Sequence, residues 1–391
     1  MTERGSKLLC LYLSLIFASV SSSSADADNC SFTNNGVGNK IQGLFVFGSS
    51  LVDNGNNNFL ETRSKADYLP YGIDFPSGPS GRFTNNKNVI DLLCDQLKLP
   101  LIPPFQDPST KGSKIVHGVN HASGASGILN DTGSIAGNAT SLSQQVLDFE
   151  EVTLANLEAQ LGCNCSQSLP SYLIVVGVGG NDYMLNYFLR KLYIQISIEN
   201  FTANLIASLA QKLQKLHSLG GRKFVVMSLM PLGYSPVINR PNIIGTPSQL
   251  NNAAQLYNDR LKTLLDSLRS NLSDFSFVLI NQYNIISSLT YSPPSRTGFT
   301  DIRNPCCAVA SLSQGGNGIS CDRGGKVCGD RTAYMYFDGL HPTGAVNIEI
   351  ATKAYDSTLQ SDAYPINVRQ LAQQQLKRFI RKPGIGLVLT A

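Results

Sequence analysis

Apolar residues fall along this chain in two alternating rhythms. Short unbroken runs at Leu44–Gly48, Tyr172–Val176, Lys223–Met227 and Phe275–Ile280 have the length and Val/Ile/Phe content of strands buried on both faces. Longer stretches between them place apolar residues on one side of a 3.6-residue period. These are Asn88–Leu97 (Val89, Leu92, Leu93 and Leu97 on one side), Leu142–Leu161, Phe201–Leu219 ending at Gly220-Gly221, Leu250–Leu272 and Thr343–Leu359. Strands separated by helices in this way predict an α/β fold, a three-layer α/β/α domain with a mainly parallel sheet. Reactive groups of such sheets gather beyond the carboxyl ends of the strands. Ser50 follows the first strand, and Gly180-Asn181-Asp182 follows the second. No repeat or linker divides the pattern. One stretch, Tyr291–Tyr336, is rich in Gly, Pro and Cys and reads as a loop that needs disulfides to hold it.

The two ends stand apart. Arg4 and Lys7, the 13-residue apolar run Leu8–Val20 and the small residues Ser21–Ala27 predict a secretory signal peptide over 1–27. A signal anchor is the competing reading, and 13 residues are short for a membrane span. Residues 28–372 then form the single domain, and 373–391 a basic C-terminal extension with the cluster Lys377-Arg378-Phe379-Ile380-Arg381-Lys382. A solvated tail is the simplest account of that cluster, with weak contact to an acidic polymer or membrane surface as the alternative. No stable membrane insertion is expected.

The net charge of +4 is unchanged by removal of 1–27, since Arg4 and Lys7 leave with Glu3 and Asp26. Without a dense basic patch to follow phosphates, a nucleic-acid partner is excluded. Secretion brings the cysteines into an oxidising compartment, the extracellular space or cell wall. Setting Cys10 aside leaves Cys30, Cys94, Cys163, Cys165, Cys306, Cys307, Cys321 and Cys328, an even number expected to form disulfides whose pairing the sequence leaves open. The last four lack the paired spacing of a zinc knuckle, so no metal is expected. Sequons at Asn29, Asn130, Asn138, Asn164, Asn200 and Asn271 agree with the secretory route.

A serine nucleophile needs a base, an orienting carboxylate and an oxyanion site. The chain has four histidines. His217 lies on an amphipathic helix and reads as structural, while His117 and His121 flank a strand and loop. His341 stands in Phe337-Asp338-Gly339-Leu340-His341-Pro342-Thr343, where Asp338 can meet the imidazole across a turn. The structural alternative makes Asp338 or Thr343 the N-cap of the next helix.

Five blocks in order now carry a resemblance. They are Phe47-Gly48-Ser49-Ser50-Leu51-Val52-Asp53-Asn54-Gly55, Pro79–Asn85, Val119–Leu129, Val178-Gly179-Gly180-Asn181-Asp182-Tyr183 and Phe337–Thr343. Together they resemble the plant GDSL esterase/lipase family of the SGNH hydrolase superfamily, over nearly all of 43–372. The resemblance implies a flavodoxin-like sheet and a secreted carboxylic ester hydrolase of lipid, cutin-like or acylated-sugar esters. It implies Ser50 as nucleophile, His341 as base and Asp338 as its partner. The N–H groups of Ser50 and Gly124 and the amide of Asn181 are implied as oxyanion donors. No cofactor is implied.

Two residues depart from the family pattern: Ser49 stands where Asp is usual, and Phe337 where Trp is frequent. Neither position belongs to the implied triad. The lipase-type elbow G-x-S-x-G is absent, and Gly177-Val178-Gly179-Gly180 lacks the third glycine of a dinucleotide fingerprint. The rival from another class is a silent secreted binding protein on the same scaffold, against which Ser50, Asp338 and His341 all stand. Without a long exposed apolar helix to serve as a lid, a soluble esterase is favoured over an interfacial lipase.

Overall fold

The computed structural model describes residues 41–239, 245–272, 274–311 and 316–375. The leader 1–27, Asn29, Cys30 and the basic cluster 377–382 lie outside the described residues. The strands are β1 (Gly43–Gly48), β2 (Tyr172–Gly177), β3 (Lys223–Met227), β4 (Ser276–Ile280), β5 (Asp301–Pro305), β6 (Tyr334–Tyr336) and β7 (Ala363–Tyr364). Strands β1 to β4 are parallel neighbours in chain order, and β7 pairs antiparallel with β4. Every residue of β1, β2 and β3 is buried, so both faces of the sheet are covered. That is why these runs do not alternate with polar residues.

Two groups of helices do the covering. Ile198–Ser218 packs against Pro247–Asn271 and Leu142–Asp148, while Gly344–Asp356 packs against Val89–Leu97 and Gln282–Tyr291. Their starts follow capping chemistry. Asn88 and Thr246 make capping boxes with Asp91 and Gln249, and Ser197 and Thr343 accept the N–H three residues on. The three-layer α/β architecture expected from the pattern is therefore present.

Several local features differ from the periodicity. The stretch 142–161 is helical throughout but widens into a π-turn at Phe149–Thr153. The helix Gln282–Tyr291 and strand β7 carried no strong pattern, being short and half polar. Residues 117–123 run along the free edge of β1: Leu44 and Val46 donate to the carbonyls of His117 and Val119, and His121 and Ser123 donate back to Val46 and Gly48, all within 3.1 Å. This edge brings the 124–127 turn beside the end of β1.

The irregular stretch after 291 is tied by Cys306–Cys328 and Cys307–Cys321 and by the β5–β6 pairing. Cys163 is also disulfide-bonded. Full pairing does not hold, however: Cys94 and Cys165 are buried free thiols. Cys94 sits inside the Val89–Leu97 helix at no exposure, and Cys165 donates to the Leu154 carbonyl. An even count is no guide when a thiol serves as a small core side chain.

Candidate active site

Ser50 owes its position to the way β1 ends. Gly48 has φ 151°, and a Cβ there would lie 2.2 Å from the Gly177 carbonyl oxygen of β2, so only glycine fits. The buried Gln145 side chain grips both polar groups of this residue. Its Oε1 accepts the Gly48 N–H at 2.8 Å and its Nε2 donates to the Gly48 carbonyl at 2.9 Å. The chain leaves the sheet in a fixed direction, and Ser50 follows two residues later.

The Ser50 hydroxyl lies 2.7 Å from Nε2 of His341. On the other side of the ring, Nδ1 is 2.8 Å and 3.0 Å from the two carboxylate oxygens of Asp338. Asp338 is fully buried. Its Oδ1 accepts the N–H groups of Leu340 and His341 at 2.8 and 2.7 Å, and its Oδ2 accepts the Tyr71 hydroxyl at 2.6 Å. Burial, with the Asp338 charge beside it, holds the Tyr71 phenol well above its usual pKa, so it stays a donor. A carboxylate so placed accepts the hydrogen bond of the Nδ1–H and keeps that proton on the ring, which leaves Nε2 as the acceptor for the Ser50 hydroxyl.

The Phe83 ring packs 5.0 Å from the imidazole. Thr343, not Asp338, caps the following helix, so the carboxylate is left to the histidine. The other histidines are occupied elsewhere: His117 bonds the Gln42 carbonyl, His217 pairs with Asp274, and His121 is stacked between Phe47 and Phe105.

Three N–H sources were implied for an oxyanion, and one is spoken for. The Gly124 N–H donates to Asp53 Oδ2 and Asn57 Oδ1, each at 3.0 Å, so it points into the protein rather than at a ligand. Gly124 is glycine for a steric reason. A Cβ there would come within 2.6 Å of Phe83 and 2.7 Å of Asn57. The next residue differs. Ala125 has φ 68°, lines the cleft beside Ser50 and His341, and its N–H donates to nothing among the described residues. The N–H of Ser50 is likewise unengaged among them. Asn181 lines the same cleft and spends one amide hydrogen on the Ser126 carbonyl at 2.9 Å, leaving the second.

Two buried carboxyls hold this turn. Asp53 accepts the N–H groups of Gly55, Asn56 and Gly124, and Asp182 those of Ile128 and Leu129 together with the Thr132 hydroxyl. Loss of hydration pushes each up to about 6.

Residues 44–354 match the family model described as GDSL-like lipase/acylhydrolase. The chain belongs to this family. Among its relatives are two GDSL esterase/lipases of Arabidopsis thaliana, 37% identical over 338 residues and 38% identical over 355. These alignments cover 84% and 87% of this chain, and 91% and 93% of the relatives. GDSL esterase/lipase 7 of the same plant is 35% identical, with 84% and 92% covered. The chain is accordingly a carboxylic ester hydrolase of the GDSL family. Among the described residues no helix is long and apolar enough to cross a membrane.

Sequence reasoning left out Tyr71, Gln145, Asp53, Asp182 and Ala125. Asp53 and Asp182 stand inside the family-like blocks, but Asp53 reaches Gly124 across 71 positions and Asp182 meets Ile128 and Leu129 across 54 and 53. Tyr71 meets Asp338 across 267 positions, and nothing local signals that contact. Ser49 donates its N–H to the Gly177 carbonyl, and its hydroxyl bonds no group among the described residues. It faces a small chamber beside Ser50. A polar side chain is tolerated there because it borders open space.

Proposed function

We propose that this GDSL hydrolase cleaves carboxylic esters through an acyl-enzyme on Ser50. His341 takes the Ser50 proton as the oxygen attacks the ester carbonyl, and returns it to the departing alcohol. Asp338 holds the ring in the required tautomer and stabilises its cation. The developing oxyanion is met by the N–H groups of Ser50 and Ala125 and by the second amide hydrogen of Asn181. Donors of this kind are each worth about 100- to 1,000-fold in rate. Water activated by the same imidazole then releases the acid.

The observation that carries the reading is the continuous bonding from Ser50 through His341 to Asp338, within 3.0 Å at each step. A signal peptide over 1–27, a single domain over 28–372 and passage to the cell exterior complete the proposal. Disulfides and exposed sequon asparagines at 130, 138, 164, 200 and 271 support that route.

The test compares Ser50→Ala with wild type on p-nitrophenyl esters and on covalent labelling by a p-nitrophenyl phosphonate. The variant is expected to lose at least ~10⁴-fold in kcat and to escape labelling at residue 50. Equal turnover by both proteins would remove Ser50 as nucleophile. An unlabelled, inactive but folded wild type would leave a binding protein on the hydrolase scaffold.

A further inference from the structure

Two spaces of unlike size meet at the Ser50 hydroxyl. Ser50, Asn181, Met184, Leu340 and His341 line both of them. One is an open cleft of about 610 Å³ whose walls mix apolar side chains such as Ile135, Leu185, Leu189 and Ile319 with the exposed Arg63 and Arg323. Arg323 is exposed, with its guanidinium 3.8 Å over the Tyr68 ring. The other is a chamber of about 40 Å³ over the carboxyl ends of β2 and β3. All of its lining residues but Leu51 and Gly180 are buried. Its wall is mostly aliphatic: Val178, Met184, Met227, Leu229, Met230 and Leu232.

The sizes can be turned into chemistry. One water position occupies roughly 10–15 Å³ of such volume. The chamber therefore takes up to about three heavy atoms beyond the reacting carbon, the chain of an acetyl to butyryl group. A saturated wall suits a hydrocarbon and offers an acyl chain no charge. The order of events assigns the two arms. The alcohol must depart while the acyl group is still bonded to Ser50, so it needs the side that opens to solvent. An alcohol seated in the buried chamber would have to pass the acyl-serine to escape.

We infer that the chamber is the acyl site and selects short acyl groups, acetyl to butyryl, while the 610 Å³ cleft receives a larger alcohol. The assignment rests on the esterase reading above and narrows its substrate class to short-chain acyl esters of bulky alcohols. Ser49 contributes to the selection, because its small unbonded hydroxyl lines the chamber. A larger side chain there takes up part of the acyl space.

Isomeric esters test the assignment directly, since they share composition and hydrophobicity and differ only in which side of the carbonyl carries the chain. Octyl acetate and ethyl octanoate are compared by titration of released acid with wild type, Met230→Ala, Ser49→Leu and, as blank, Ser50→Ala. A misfit of even one methylene in a closed pocket is worth about 10- to 200-fold. Wild type is thus expected to favour octyl acetate at least about 10-fold in kcat/KM. Met230→Ala should narrow that ratio by enlarging the chamber, and Ser49→Leu should slow acetate ester cleavage by filling it.

Equal rates, or a preference for ethyl octanoate, would overturn the chamber assignment while leaving the esterase intact. The wild-type ratio is decisive without the variants, so poor folding of a variant does not block the test. If wild type matches Ser50→Ala on both isomers and on p-nitrophenyl acetate, the esterase reading itself fails and the chamber assignment falls with it.

Discussion

At the scale of single residues, the site shows how much of a catalytic group's behaviour is set by what it touches. Asp338 is a buried anion with four donors around it: two backbone N–H groups, the His341 ring and the Tyr71 hydroxyl. A hydrogen bond to a buried charged group contributes about 1.5–3 kcal/mol. Tyr71→Phe should therefore lower kcat/KM about 10- to 100-fold. Gly124 carries the complementary lesson. Its N–H is consumed by Asp53 and Asn57, and its missing side chain makes room for Phe83, which packs on His341. The glycine builds the turn, and the N–H with no acceptor among the described residues belongs to its neighbour Ala125.

At the scale of elements, the sheet supplies rigid exits and a cross-linked loop carries Asp338 and His341. Met335, Tyr336 and Phe337 precede Asp338, and the Cys306 and Cys307 N–H groups bond the Tyr336 and Phe337 carbonyls. Cys321 donates its N–H to the Tyr71 hydroxyl, which in turn donates to Asp338. The two disulfides thus brace the frame that holds the carboxylate. Closing a loop of about 15 residues stabilises by about 3 kcal/mol, and Cys307–Cys321 spans 14 positions. The double variant Cys307→Ser/Cys321→Ser should lose stability of that order in denaturant titration. It should also lose kcat, because the Tyr71–Asp338 contact is no longer held. Unchanged kcat in a measurably destabilised protein would show that the loop and the triad are uncoupled.

At the scale of the whole molecule, the buried titratable groups act on stability with opposite signs. Asp53 and Asp182 have folded values raised to about 6 from 3.8. Each contribution is fully present below 3.8 and is lost as pH rises through 6. His121 is lowered by burial from 6.5 to about 3, so its contribution is present above 6.5 and lost as pH falls toward 3. Between about pH 4 and 6, two groups favour the acid side and one opposes them. Comparing Asp53→Asn with wild type isolates one of the three. Whatever constant offset the amide introduces, the difference in Tm, variant minus wild type, should grow more positive from about pH 4 to about pH 7. A flat difference would mean that Asp53 ionises as easily in the fold as in the open chain.

The chain's own pattern determined the layers, the order of strands and helices, and the presence of Ser50, Asn181, Asp338 and His341 at strand ends and loops. Those properties follow from local periodicity and from motifs spanning a few residues. The tertiary structure decided the rest, because it depends on contacts between distant segments. Only the close approach of β2 explains why Gly48 must be glycine, and only the edge segment 117–123 places Ala125 beside Ser50. The free state of Cys94 and Cys165, the hold of Tyr71 on Asp338 and the two unequal spaces at Ser50 arise in the same way. Each is set by which side chains meet after folding, and one-dimensional spacing does not carry that information.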